Sequence, residues 1–418
     1  MADIPTEPDA RRAGETGSAG SLLGDRRVRV VLATIFVTMA GFGIIAPILP
    51  LYAQSFGVGY GAVGLLVASF AFTRLAFDLI AGPLVDRYGE RATLSAGVVF
   101  LGITTLLLGH APSFGLALAF RAAGGAGSAL LFAALYSYYL KVVPAERVGR
   151  AFGLFYGMFN IGMIAGQPLG GFIAGVTGSL RMPLDVYAAF CFAAGILFLL
   201  LTERTPGVGR PRERPTMHAL RDLIRIRPFV TANVANFAAF WIIGGVWSTL
   251  IPLFGHDALG MSELAIGSVL SLSIAAEFVV LYPFGAIVDR HGRRTLLIVS
   301  MFAYAAVVAA LGEPATVFVF AVLLAALGLA SGAGATAPAA MLHDVTPEES
   351  TGTAVGAFRF SGDLGFAVGP AVAGWTANRF GFAGAFMFAA VPLLATAVLA
   401  LRTPETHPAQ TVTRRTAA

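Results

Sequence analysis

Twelve long apolar stretches, at roughly 28–52, 60–84, 92–110, 114–140, 150–174, 186–202, 229–253, 263–287, 295–312, 315–341, 352–376 and 380–402, run through the 418-residue chain. A helix crosses a bilayer with about 20 apolar residues. None of the stretches alternates with period two, and in lipid a helix satisfies its own backbone polar groups where an open sheet cannot. The fold class that follows is an all-α polytopic membrane protein with 12 transmembrane helices. Composition closes other routes: 57% of residues are hydrophobic, 12% are charged and the mean hydropathy is +0.78. A soluble enzyme could not bury so much apolar surface, and a disordered chain would not carry it.

Charge placement orients the spans. Arg26, Arg27 and Arg29 precede the first, Arg87 and Arg91 follow the second, Lys141, Arg147 and Arg150 the fourth, and Arg290, Arg293 and Arg294 the eighth. The opposite loops carry mainly Arg181 and Arg379. Positive charge stays inside, so both termini are expected in the cytoplasm. Residues 1–27 read as a disordered tail, with no apolar core close behind a basic start as a signal peptide would have. Residues 403–418 read as a second tail. Between the halves at 28–202 and 229–402, residues 203–228 hold seven Arg and four Pro against three acids, a basic cytoplasmic linker. Within it, Met217–Ile226 is patterned as a short helix, either interfacial or solvated. The one cysteine, Cys191, lies in an apolar run, so no internal disulfide is available.

Shifted by 203 residues, the sequence overlays on itself. Gly82, Val85, Asp86, Arg87, Gly89 and Arg91 fall on Gly285, Val288, Asp289, Arg290, Gly292 and Arg294. Pro144, Glu146, Gly149 and Phe155 fall on Pro347, Glu349, Gly352 and Phe358, and Gly162, Gly166 and Gly171 on Gly365, Gly369 and Gly374. Six spans separate the copies, so both halves have the same orientation. Parallel repeats about an axis along the membrane normal belong to rocking secondary transporters.

Four local patterns carry a resemblance. The loop after the second span reads Gly82-Pro-Leu-Val-Asp86-Arg87-Tyr-Gly89-Glu-Arg91, and its copy reads Gly285-Ala-Ile-Val-Asp289-Arg290-His-Gly292-Arg293-Arg294. Span one carries Gly41-x5-Pro47-x-x-Pro50, and span four Arg121-x-x-Gly-Gly-x-Gly. Span five carries Gly162-x3-Gly166-Gln-Pro168-Leu-Gly170-Gly171, echoed by Gly365-x3-Gly369-Pro370 in span eleven. Over about 28–402 the chain resembles the major facilitator superfamily, and within it the twelve-span drug:proton antiporters. The family motifs are G-x-L-a-D-R-x-G-R-R, G-x5-P-x-x-P, R-x-x-Q-G-x-G and G-x3-G-P-x-x-G-G. Three departures stand out: Glu90 at a usually basic position, Gly124 for the glutamine, and Gln167 for the proline. The resemblance implies the major facilitator fold, two pseudo-symmetric six-helix halves. It also implies a cytoplasmic latch in which Asp86 caps the start of span eleven near Gly352 and Asp289 that of span five near Gly149. The span-five motif is the family's mark of antiport, and Arg121 is tied there to proton movement and substrate binding. The residue-level alternative for Arg121 is pairing with backbone carbonyls, since a buried Arg in lipid needs a cavity or a partner.

Five further ionisable residues lie inside spans: Arg74 and Asp78 in span two, Glu277 in span eight, Arg359 and Asp363 in span eleven. The family architecture makes spans two and eleven neighbours across the halves. With a rise of about 1.5 Å per residue, Arg74 can meet Asp363 and Asp78 can meet Arg359. Pairing within each helix at i,i+4 is the alternative. Glu277, alone in an apolar segment, is the first candidate for a proton carrier, followed by Asp78 and Asp363. The cavity is expected among spans one, four, seven and ten, with Tyr136, Tyr139, Tyr156, Asn160, Asn236, Trp241 and Trp247 as substrate contacts suited to a bulky amphiphile.

The expected function is export of a small organic compound, drug or metabolite, by proton antiport with alternating access. The protein is expected to be a monomer in the plasma membrane, with the proton gradient in place of any cofactor and no nucleic-acid partner. A proton-coupled or facilitative importer on the same fold is the alternative, and a non-transporting receptor a further one. No Walker loop, HExxH or nucleophile–His constellation occurs, which argues against an ATP-driven pump or a membrane enzyme.

Overall fold

The computed structural model describes residues 22–144, 147–202 and 217–406; the side chains of residues 149, 217, 282, 284–291 and 348 lie outside that description. The tail read as 1–27 ends earlier than expected. Leu22–Gly24 form a 3₁₀ turn, and Asp25 caps α1 (Arg26–Ile45) by accepting from the Arg27 amide at 2.7 Å. Pro50 stands at the start of α2 (Leu49–Gln54), and the proline pair of span one breaks the helix between Ile45 and Leu49. Helices α3 (Tyr60–Tyr88), α4 (Glu90–Gly109), α5 (Phe114–Val142), α6 (Val148–Thr177) and α7 (Met182–Leu201) follow. Gly89, at φ 80°, makes the tight turn between α3 and α4 that a side chain would strain. The short α8 (Met217–Leu223) falls where the linker pattern placed a helix; residues 203–216 lie outside the described residues.

In the second part, α9 (Arg227–Trp241) runs into a π-helical segment, Ile242–Leu250, and then α10 (Ile251–Asp257). Next come α11 (Glu263–His291), α12 (Arg293–Ala310), α13 (Val317–Val345), α14 (Thr351–Ala389) and α15 (Val391–Leu401). Among the described residues eleven helical stretches are long and apolar enough to cross a membrane, and the last, Thr351–Leu401, contains a break at Gly381, φ 70°. The tail beyond residue 402 is partly docked. Thr403 is buried against Thr231, with hydroxyls 2.7 Å apart, and Glu405 accepts from the Arg293 amide at 2.9 Å.

Helix α1 packs on α6 and α7, and α5 on α3 and α4; in the second part α13 packs on α11 and α12, and α14 on α9 and the π segment. Among the described residues only two large contacts bridge the sets, α3 with α14 and α6 with α11. Both are made by glycines that admit another backbone. Gly64 lies on the Pro370 carbonyl and Gly374 on that of Tyr60; Gly267 lies on the Gln167 carbonyl and Gly171 on that of Glu263. These are the same contacts twice, each residue displaced by 203 from its mate. All four lie at the end of the bundle away from the described chain ends. There Gln54 and Tyr60 both donate to Asp257, each at 2.8 Å. Toward the chain-end side the helices separate: a Cβ on Gly153, Gly157 or Gly356 would meet nothing within 4 Å. The bundle is sealed at the far end and open at the terminal end.

Candidate transport site

At mid-depth Arg74 of α3 and Asp363 of α14 form an ion pair across the two sets of helices. The pairing is between helices and not within one. A turn closer to the terminal end the second expected pair is not made. Arg359 is exposed, with its guanidinium 5.8 Å from the Tyr136 ring centre, and Asp78 is half-buried with no hydrogen bond or ion pair among the described residues. The cause is geometric, because α3 and α14 diverge from the glycine seal toward the open end.

An aromatic wall faces these charges. Tyr136 lies beside Phe132, Phe152 and Phe155 with ring centres 5.1–6.1 Å apart, its hydroxyl 3.5 Å from that of Tyr156. Arg74 approaches Phe132 at 6.0 Å, so both guanidiniums rest on aromatic faces. Tyr156 is 51% exposed, and Asn160 is half-buried with its amide donating to the Tyr156 carbonyl at 2.9 Å. Four expected contact residues are engaged elsewhere. Tyr139 is fully buried and donates to the Ala151 carbonyl at 2.7 Å. Trp241 and Trp247 are buried in helix packing, Trp241 beside Phe237 at 6.0 Å. Asn236 is spent on clasping α9 to α14, donating to the Phe358 carbonyl at 2.6 Å. Aromatic type marked cavity and core residues alike, and only packing separates them.

Arg121 is 4% exposed, its guanidinium 4.2 Å from the centre of the Phe70 ring and its Nε without a hydrogen-bond partner among the described residues. Glu277 accepts from the Ser331 hydroxyl of α13 at 3.1 Å. The two charged positions of the second and eighth spans are built alike: Gly125 packs on the Phe70 carbonyl and the Arg74 amide, and Gly328 on the Ser273 carbonyl and the Glu277 amide.

In the span-five motif, Gly162, Gly166 and Gly170 lie on the α1 carbonyls of Phe36, Ala40 and Ile44, while Gly171 faces α11. Gly365 and Gly369 lie likewise on Phe237 and Trp241. Pro168 and Pro370 are inside continuous helices. Gln167, the departure, is fully buried in the α6–α11 seal, its Oε1 accepting from Ser271 at 3.3 Å.

The loop motif behaves differently from the expected latch. Gly82 is buried, but Asp86 and Arg87 are exposed, Arg87 over the Tyr88 ring at 5.3 Å, and Asp86 has no bond to the start of α14 among the described residues. The open terminal end holds them apart. Arg91 donates to the Leu199 carbonyl, tying α4 to α7, as Arg294 does to those of Ala400 and Leu401. The surroundings of Gly285 and the side chains of Asp289 and Arg290 lie outside the described residues; Gly292 has φ 93°. Glu90 is 2% exposed and pairs with Lys141, the only lysine in the chain, at 2.5 Å. Its mate Arg293 pairs with Asp344 at 2.9 Å, and 344 is 141 plus 203. The departure at Glu90 is therefore half of a charge-reversed pair, and the repeat register that sets Lys141 against Asp344 carries its signal in the sequence.

A helical bundle sealed at one end, open at the other and carrying an ion pair at mid-depth defines a multi-pass membrane transporter. The profile of the Major Facilitator Superfamily matches residues 31–276 and 246–417, and the chain belongs to that family. It is 25% identical to an uncharacterized MFS-type transporter of Methanocaldococcus jannaschii over 88% of this chain and 95% of that one. It is 25% identical to Multidrug resistance protein 2 of Bacillus subtilis over 64% of this chain and 68% of that one. Among solved structures, a bacterial homolog of the human lysosomal transporter Spinster, inward-facing and unoccupied, superposes with a TM-score of 0.73 at 17% identity, covering 90% of this chain and 94% of that one.

Proposed function

We propose that this protein exports a small amphiphilic organic compound in exchange for protons, by alternating access between two six-helix halves. Counting the segments on either side of Gly381 as separate crossings brings the spans to twelve. The observation that carries the reading is the joint at α3–α14 and α6–α11, which is closed by bare backbone at the far end and parted at the terminal end. Such a joint rocks without repacking either half. By the positive-inside distribution the open end is cytoplasmic, the state that would load a substrate for export. Export is also supported by the likeness to a multidrug resistance protein of Bacillus subtilis.

In this reading Arg74–Asp363 is the pivot contact, and Asp78–Arg359 joins when the cytoplasmic end closes. The substrate rests on the Tyr136–Tyr156 wall, where large aromatic faces give area without fixed hydrogen-bond demands. Glu277 carries the proton, the acid with a hydroxyl rather than a cation as its neighbour. The test is substrate transport in everted vesicles under an imposed pH gradient. Glu277→Gln should abolish gradient-driven transport and keep substrate binding; normal driven transport by this variant would refute the assignment. Proton uptake with substrate movement in the same direction would identify an importer instead.

A further inference from the structure

The 203-residue register extends from the motifs to the cavity walls. Arg74, Asp78, Arg359 and Asp363, on α3 and α14, have as mates Glu277, Leu281, Tyr156 and Asn160, on α11 and α6. The two helix pairs are packed alike. Arg74 lies ten residues from Gly64, and Asp363 seven from the Pro370 carbonyl on which Gly64 sits; Glu277 lies ten from Gly267, and Asn160 seven from the Gln167 carbonyl on which Gly267 sits. Glu277 and Asn160 thus occupy on one wall the positions that form an ion pair on the other. With the terminal end open they are apart, each bonded within its own half: Glu277 to Ser331, Asn160 to the Tyr156 carbonyl. The Ser271 hydroxyl already reaches the Ile164 carbonyl across the same joint at 2.8 Å, so closure has a track to follow.

We propose that Asn160 is the positioning partner of Glu277, its side-chain amide meeting the carboxyl when the terminal end closes. The two walls then differ in what they demand. A guanidinium is a fixed cation that only donates, so Arg74 favours Asp363 in its ionised form. An amide donates and accepts, so Asn160 gives a hydrogen bond to a carboxylate and takes one from a carboxylic acid. This wall closes with or without the proton, which a carrier crossing the transition in both forms needs, while the opposite wall keeps a fixed charge pair. The other groups about Glu277 are Ser331 of α13 and Tyr304 of α12, with Tyr156 one turn from Asn160 on α6. The inference rests on Glu277 as proton carrier and adds the residue that presents it.

Two measurements test it in the full chain. In a Cys191→Ser background, Asn160→Cys with Glu277→Cys is treated with a short bifunctional thiol reagent, and the Arg-rich linker is then cut with trypsin, so that a cross-link reads as halves that stay joined. Cross-linking should rise when Gly374→Ala is added to disfavour the far-end seal. Second, Asn160→Leu and Glu277→Leu should each lower transport about tenfold or more, and the exchange Asn160→Glu with Glu277→Asn should recover most of it. Asn160→Arg should keep closure and lose proton coupling. No cross-link in either background, together with an exchange no better than the single variants, would overturn the pairing. Cross-linking together with full proton coupling in Glu277→Gln would instead leave the pairing standing and remove Glu277 as carrier.

Discussion

The charge-reversed pair yields the sharpest prediction. Glu90 and Lys141 join α4 to α5 at the terminal end; Glu90 is 2% exposed and also accepts from Ser137 at 2.9 Å, while the Lys141 side chain is 30% exposed. Lys141→Ala removes a cation from a buried carboxylate. Breaking a buried pair from one side costs about 3–5 kcal/mol, and the partial exposure of Lys141 places this one near 3 kcal/mol. Glu90→Arg sets two cations together and costs at least as much. The double variant Glu90→Arg with Lys141→Asp reproduces the Arg293–Asp344 arrangement of the second half and should recover all but about 1 kcal/mol. At about 2–4 °C per kcal/mol for a unit of this size, each single variant should lower the apparent melting temperature in detergent by roughly 6–12 °C. The double variant should return to within about 4 °C of the parent. A double variant no more stable than the worse single would show that the two side chains do not act as a pair and would refute the charge-reversed pairing.

Further predictions concern the seal and the gate. Gly374→Ala or Gly171→Ala puts a Cβ on the backbone carbonyl of Tyr60 or Glu263, which cannot swing aside like a side-chain tip. Either should increase labelling of a cysteine placed at Gln54 in the Cys191→Ser background, and unchanged labelling would refute the seal. Asp257→Ala removes the acceptor shared by Gln54 and Tyr60; at about 1.5 kcal/mol per charge-assisted bond it should shift the far-end equilibrium tenfold or more toward open, read by the same labelling. Asp78→Arg and Arg359→Asp should each impair transport, and combining them should restore it. A double variant as poor as the singles would remove this pair from the closing of the terminal end.

Much of the protein was readable in one dimension. Apolar length set the helical class and the course of the spans, because in lipid a backbone has few other ways to satisfy itself. The repeat set their pairing into equivalent positions, and basic residues set the expected orientation. The motif glycines were visible, but not what each touches: Gly170 and Gly171 are neighbours in the chain, and one meets α1 while the other meets α11. Likewise Tyr136 and Tyr139, one turn apart, divide between cavity wall and core, because a small rotation about the α5 axis separates the two directions. Nothing local distinguishes such pairs, since the difference lies in helices far away in sequence. The state of the gate was likewise decided by the tertiary structure alone. Arg74–Asp363 and Asp78–Arg359 are equivalent as sequence, and the splay of α3 from α14 joins one and parts the other.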